Sequence, residues 1–173
     1  MYSHVRYIGY DISTVATLFK VKNPTSKSDV ETVYAIPAGK IKNPPRLYGL
    51  KDENAKISAD AKVRIQRLIG VMLKAANYLS ATDNSKTLKV FVAPEFYFRP
   101  STSGVAYSMD EYRRIKNVLR STIDNYRALI HWLIVPGTIM WIMDKGDASK
   151  SKRKIDPKST KVIYFNTSLY IKR

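Results

Sequence analysis

Glu95 is the residue of this chain best placed to do chemistry. It follows a short apolar run, Leu88, Val90, Phe91, Val92 and Ala93, that is rich in β-formers and closed by Pro94. A run this short, stopped by proline, reads as a buried strand and not as a helix. Glu95 therefore stands at a strand's carboxyl end, the position where open α/β sheets place their chemistry. Phe96, Tyr97 and Phe98 follow it. A carboxylate set between apolar rings loses water, and desolvation favours its taking up a proton, which is the property of a general base. The plainer alternative is a strand-end carboxylate pointing into water, the ordinary place for glutamate. This stretch alone supports both.

Other chemistry-bearing residues are sparse or dispersed. The chain has no cysteine, which excludes disulfides and thiolate metal sites. Its two histidines, His4 and His131, lie far apart in sequence, and no metal site is expected. Arg99, just after Glu95, could orient that carboxylate or an anionic substrate, although a solvated arginine is the commoner case. Thirty Lys and Arg against fourteen Asp and Glu give a net charge of +16 over 173 residues. Such a balance favours nucleic acid, anionic surfaces or acidic partners. The basic residues are spread along the chain, however, and a lysine-rich soluble surface explains them more simply. The best local candidate for a phosphate-contacting surface is the helix face with Arg113, Arg114, Lys116, Arg120 and Arg127, although a solvated face is the commoner case.

The elements that would position these residues are legible from periodicity. Residues 4–21 read as one strand, or two with a break near Asp11 to Thr14, and Val30 to Pro37 as a returning strand. Residues 38–56 form a long loop carrying Gly39, Pro44, Pro45 and Gly49, with Leu47, Tyr48 and Leu50 as its anchors. Ile57 to Leu79 is a helix with Ser58 as N-cap. Ala61, Ile65, Leu68, Ile69, Met72, Leu73, Ala76 and Leu79 make its apolar stripe, which reads as core packing against a sheet. A second helix opens on the capping box Ser108 to Glu111 and runs to about Leu129. Trp132 to Trp141 is a strand broken at Pro136 and Gly137. Residues 144–161 are charged and read as a basic hairpin loop, and Val162 to Ile171 as a two-faced strand. The order of strands and helices argues for one α/β domain. No apolar run is long enough to span a bilayer and no signal peptide is evident, so no membrane association and a cytoplasmic location are expected.

Three stretches in order, the strand into Pro94 and Glu95, the strand into Gly137, Thr138 and Ile139, and the strand with Tyr164, Asn166 and Thr167, resemble the first half of the nitrilase (carbon–nitrogen hydrolase) superfamily. The resemblance runs from about Ile57 to Arg173. It implies a partial αββα sandwich, with the first strand central and Tyr7 to Tyr10 packed inside. Members use a Glu, a Lys and a Cys on amide or nitrile substrates without a cofactor. The thiol attacks carbon, the Glu is the base, and the Lys stabilises the tetrahedral intermediate. The resemblance assigns the catalytic glutamate to Glu95, puts Tyr97 and Asn166 at the substrate, and makes Gly137 a framework position. It also implies a homo-oligomer, since members commonly pair. The chain departs from the pattern in having no cysteine. Lys172 stands too close to Asn166 to match the family lysine. The expectation is therefore the front portion of a longer enzyme or a relative without its nucleophile, inactive alone and prone to associate through uncovered sheet surface.

Two alternatives stand beside this. One is a metal-dependent DNase-like phosphodiesterase with Glu95 on Mg²⁺, against which no Asp-x-Asn strand end and no Asp-His pair near the C-terminus is found. The other is a basic nucleic-acid-binding module without chemistry.

Overall fold

A computed structural model of the chain describes residues 1–11, 17–20, 30–33, 43–50, 57–79, 85–100, 106–144 and 162–173. The fold is mixed α/β. Strands β1 (His4–Gly9), β4 (Thr87–Val92), β6 (Trp132–Val135) and β9 (Ile171–Lys172) form a sheet in the order β1-β4-β6-β9, parallel except for β9. β5 (Tyr107–Ser108), β7 (Thr138–Asp144) and β8 (Val162–Ser168) form a second, with β7 and β8 antiparallel. The two sheets continue one another, because β6 runs into β7 across Pro136 and Gly137 while β8 runs into β9 alongside. A lone parallel bridge, Phe98 to Ile139, spans the gap between them. β2 (Thr17–Lys20) and β3 (Val30–Val33) pair as an antiparallel hairpin, which matches the reading of two strands and a return.

Both helices pack on one face of the sheet. α1 (Ala59–Leu79) buries Ala61, Ile65, Leu68, Ile69, Met72, Ala76 and Leu79, and α2 (Met109–Asn125) buries Ile115, Val118, Leu119 and Ile123. These share one core with Phe91, Trp132, Ile134 and Ile139 of the sheet. Alternation then sends Leu88, Val90, Val92, Leu133 and Val135 to the opposite face. Val5 and Tyr7 lie beside them in register, opposite Leu88 and Val90. Val92 is 42%, Val5 52% and Tyr7 77% exposed. Among the described residues β1 pairs only with β4, so the expectation that Tyr7 to Tyr10 pack inside a central strand is corrected. Tyr7 lies on an edge strand with its ring in water, and Ile8 and Tyr10 are half-buried against the core.

The helix ends are specified locally. Ser58 Oγ accepts from the Ala61 amide at 3.2 Å and Ser108 Oγ from the Glu111 amide at 3.1 Å. Glu111 does not reach back to its own cap. Its carboxylate accepts from the Ser58 amide at 2.7 Å, so one side chain joins the two helix N-termini. α2 ends before Leu129, because Tyr126 turns extended and a 3-10 turn, Arg127–Leu129, follows. Arg173 donates to the carbonyls of Ile123 and Tyr126 and so satisfies acceptors at the end of α2. The anchors of the loop over 38–56 are in place. The Tyr48 amide donates to Thr122 Oγ1 at 3.0 Å, while Leu47 and Leu50 pack on the core. Residues 38–42 and 51–56 of that loop and the basic segment over 145–161 lie outside the described residues.

A buried polar cluster fastens α1 to the sheet. Arg64, 3% exposed, donates from Nη1 to the Tyr97 carbonyl at 2.7 Å and from Nε to Asp60 at 2.9 Å. Tyr97 returns its hydroxyl to the Arg64 carbonyl at 3.0 Å, and the Tyr107 hydroxyl donates to Asp60 at 2.5 Å. Removing one partner of such a cluster leaves the other buried and uncompensated. Arg64→Leu is expected to lower unfolding free energy by about 3 kcal/mol, read from the urea midpoint; a loss below about 1 kcal/mol, the scale of a surface pair, would show that the cluster contributes little.

The same burial pushes the Tyr97 hydroxyl well above the ordinary phenol range. It pushes Tyr107 up likewise, with the Asp60 carboxylate adding to the effect. A phenol whose folded-state affinity for its proton exceeds that of the unfolded chain contributes stability below the ordinary phenol value and loses it as pH rises. Above about pH 10, stability is expected to fall by up to about 1.4 kcal/mol per pH unit for each of the two. Absorbance at 295 nm, followed together with far-ultraviolet circular dichroism, should show both phenols ionising only as the fold is lost.

Candidate functional site

The displayed position of Glu95 comes from a mismatch in strand length. Val92 pairs with Val135, and Phe98 is bridged to Ile139. Between these pairs the Glu95 strand has five residues, 93–97, and its neighbour has three, 136–138. The surplus is expelled as a bulge, a device that re-aims side chains beside sites. The Ala93 amide still donates to the Val135 carbonyl at 2.8 Å, and the Phe98 amide reaches the Thr138 carbonyl at 3.1 Å. Glu95 and Phe96 make the turn between, with Phe96 in the left-handed region at φ 59°. Its amide is taken by Thr138 Oγ1 at 2.9 Å.

The turn closes only because residue 137 is glycine. Gly137 has φ 84°, and a Cβ there would lie 2.4 Å from the Pro94 carbonyl oxygen and 2.8 Å from Tyr97 Cβ. Both the backbone conformation and the close approach demand the missing side chain.

The structure brings together two of the three residues assigned to the site. Asn166 Nδ2 donates to Glu95 Oε1 at 3.1 Å across the sheet. Asn166 sits in β8 opposite Met140, one residue on from Phe165. Phe165, Trp141 and Tyr112 of α2 stack as three rings, with centroid spacings of 4.2 and 4.8 Å. Phe165 therefore faces the helices, and alternation turns Asn166 to the other side. The Glu95–Asn166 pair accordingly lies on the sheet face away from the helices.

Tyr97 is not part of this surface. It is fully buried, ring to ring with Phe98 at 5.1 Å and bonded to the Arg64 carbonyl. The expectation that it meets substrate is corrected in one respect: its side chain lies in the core and not on this surface. The picture of Glu95 enclosed by rings changes with it. Tyr97 and Phe98 turn into the core, and Glu95 is exposed. Thr138 and Arg64 were not assigned a role by sequence reasoning. Thr138 had a signal in its place directly after the Pro136–Gly137 break. Arg64 had none, since a lone arginine next to an apolar stripe reads as a solvated edge.

This arrangement offers a fixed carboxylate that can accept a proton, with one oxygen oriented by an amide. It contains no thiol, because the chain has none. Among the described residues no group of three His, Asp or Glu side chains converges that could hold a metal ion, and no helix is long and apolar enough to cross a membrane. Comparison with protein-family models, curated proteins and solved structures gave no match.

Gly137→Ala tests the construction of the bulge. Left-handed strain alone costs about 1–2 kcal/mol, and the clash with backbone adds to it. A loss of at least about 2 kcal/mol in denaturant unfolding is expected. A neutral substitution would mean that the turn beneath Glu95 relaxes freely.

Proposed function

We propose that the chain is the front portion of a nitrilase-like αββα sandwich and that Glu95 is its general base for hydrolysis of an amide or nitrile carbon–nitrogen bond. The single observation that carries this reading is the Glu95–Asn166 pair, a strand-end carboxylate held at 3.1 Å by an amide from the following hairpin. It joins two of the three motifs on which the resemblance rests, residues that stand 71 positions apart in sequence. The sheet face that displays the pair also carries Val5, Tyr7 and Val92 in partly exposed positions. That is the face on which a second sheet of such a sandwich would lie.

In this reading Glu95 takes the proton of an attacking thiol, and the thiolate forms the bond to the substrate carbon. A lysine ammonium stabilises the negative charge of the tetrahedral intermediate. Glu95 then returns the proton to the departing nitrogen, which leaves an acyl thioester; Glu95 next takes a proton from the water that attacks this carbon and returns it to the departing sulfur. Asn166 holds the carboxylate in the orientation that these transfers need. The cysteine and the lysine come from polypeptide outside these 173 residues.

The test begins with the native gene product, read by peptide sequencing past the position of Arg173. A lysine and then a cysteine are expected. That product should release ammonia from members of a panel of short amides and nitriles. Glu95→Gln keeps the shape and removes the base, and it is expected to lower kcat/KM by about 10²–10⁴. A native product without cysteine, or a Glu95→Gln enzyme as active as the parent, would overturn the proposal.

A further inference from the structure

Strand register sets the sheet face away from the helices out in rows. Tyr7 pairs with Val90, Val90 with Leu133 and Leu133 with Lys172, so these four cross the sheet as one row. The next row begins Gly9, Val92, Val135. Ile171 is opposite Ile134, which places Tyr170 beside Val135 at the end of that row. Leu169 and Ile171 pack on the core, so alternation turns Tyr170 and Lys172 to this outer face. Tyr170 is 73% exposed there.

Both rows are aliphatic in the middle, and their four ends differ. One edge has Tyr7 and then Gly9; the other has Lys172 and then Tyr170. The two rings therefore stand at diagonal corners. Gly9 leaves open space, since a Cβ built on it meets nothing within 4 Å. A face that meets a copy of itself must be self-complementary under a two-fold axis. For two sheets packed face to face with their strands nearly aligned, that axis lies between them, either along the strands or across them. Along the strands it sets Tyr7 against the second copy's Lys172 and Gly9 against its Tyr170. Across the strands it sets Tyr7 against the second copy's Gly9 and Tyr170 against its Lys172. In both cases each ring meets open space or an ammonium on a flexible apolar stem, and no ring meets a ring. The valines and Leu133 meet one another in the centre. Four strands about 4.8 Å apart and about five residues long make a face of roughly 300 Å². Two such faces, with their side-chain relief, withdraw on the order of 1,000 Å² from water, the lower end for a specific association.

We infer that two copies of this chain pair face to face through this surface, with Tyr7 and Tyr170 of each seated against Gly9 and Lys172 of the other. The inference concerns these 173 residues by themselves and does not rest on the hydrolase reading; polypeptide from outside them, laid on the same face, would take the second copy's place.

Sedimentation equilibrium of the chain, from low micromolar to hundred-micromolar concentration and at low and high salt, tests it. A reversible monomer–dimer equilibrium is expected. Each copy carries a net charge of +16, so added salt should tighten the dimer by screening their repulsion. Gly9 is outside the left-handed region, and Gly9→Val fills its open space without strain in the monomer. By crowding the opposing ring it is expected to weaken association at least about tenfold. Removing both rings in Y7A/Y170A should weaken it by about tenfold or more. In that background Gly9→Val has no ring to meet, and its further effect should stay below about twofold. Tyr78→Ala, which removes an exposed ring on α1, should stay within about twofold of the parent. A monomer at every concentration, association that continues past the dimer, a dimer loosened by salt, or a Gly9→Val effect as large without the rings as with them would each overturn the inference. Urea midpoints of all variants guard against unfolding. Association is read without substrate, so this result and the hydrolase test fail separately.

Discussion

The guanidinium of Arg64 is the group on which the rest of this structure depends. It is buried, and it can remain so because its donors are taken by the Asp60 carboxylate and the Tyr97 carbonyl. The Tyr97 carbonyl belongs to the segment that leaves the Glu95 bulge and returns to the sheet. A charged group in the interior has few acceptable positions, because each displacement leaves a donor or acceptor without a partner. The reciprocal bond from the Tyr97 hydroxyl to the Arg64 carbonyl narrows the choice further. α1 is therefore fixed on the sheet by direction as well as by apolar area, and the exit of the bulge is fixed with it.

The bulge needs its second support from the neighbouring strand. Five residues opposite three cannot remain flat. The surplus must leave the plane on one side, and the helix side is closed by packed core. Gly137 lets the Pro94 carbonyl come close, Thr138 takes the Phe96 amide, and Tyr97 and Phe98 fill the interior. Glu95 is what remains for the outer face. Its exposure and the burial of the aromatics that follow it are two results of one constraint.

Much of this architecture was legible in the sequence. α1 showed its stripe and its Ser58 cap, and the break at Pro136 and Gly137 showed in the composition. The contact of Asn166 with Glu95 joins residues 71 positions apart, a distance over which local patterns carry no information. Three features were hidden for physical reasons. The direction of Tyr97 depends on a two-residue difference between strands that meet only in three dimensions. Glu111 fits a capping box by spacing, yet a competing amide, that of Ser58, comes within 2.7 Å through tertiary packing. Tyr7 alternates like any core residue of a strand, and periodicity cannot tell a covered face from an open one.

That open face bears on chemistry. Expelling water from around a polar pair strengthens the electrostatic interactions within it and limits side reactions. Glu95 shares its face with Val5, Tyr7 and Val92, and apolar surface of this kind gains roughly 2.5 kcal/mol for each 100 Å² withdrawn from water. A layer laid over these side chains would gain that energy and, by the same contact, wall in the Glu95–Asn166 pair. Stability and site formation are then one event on this side of the sheet.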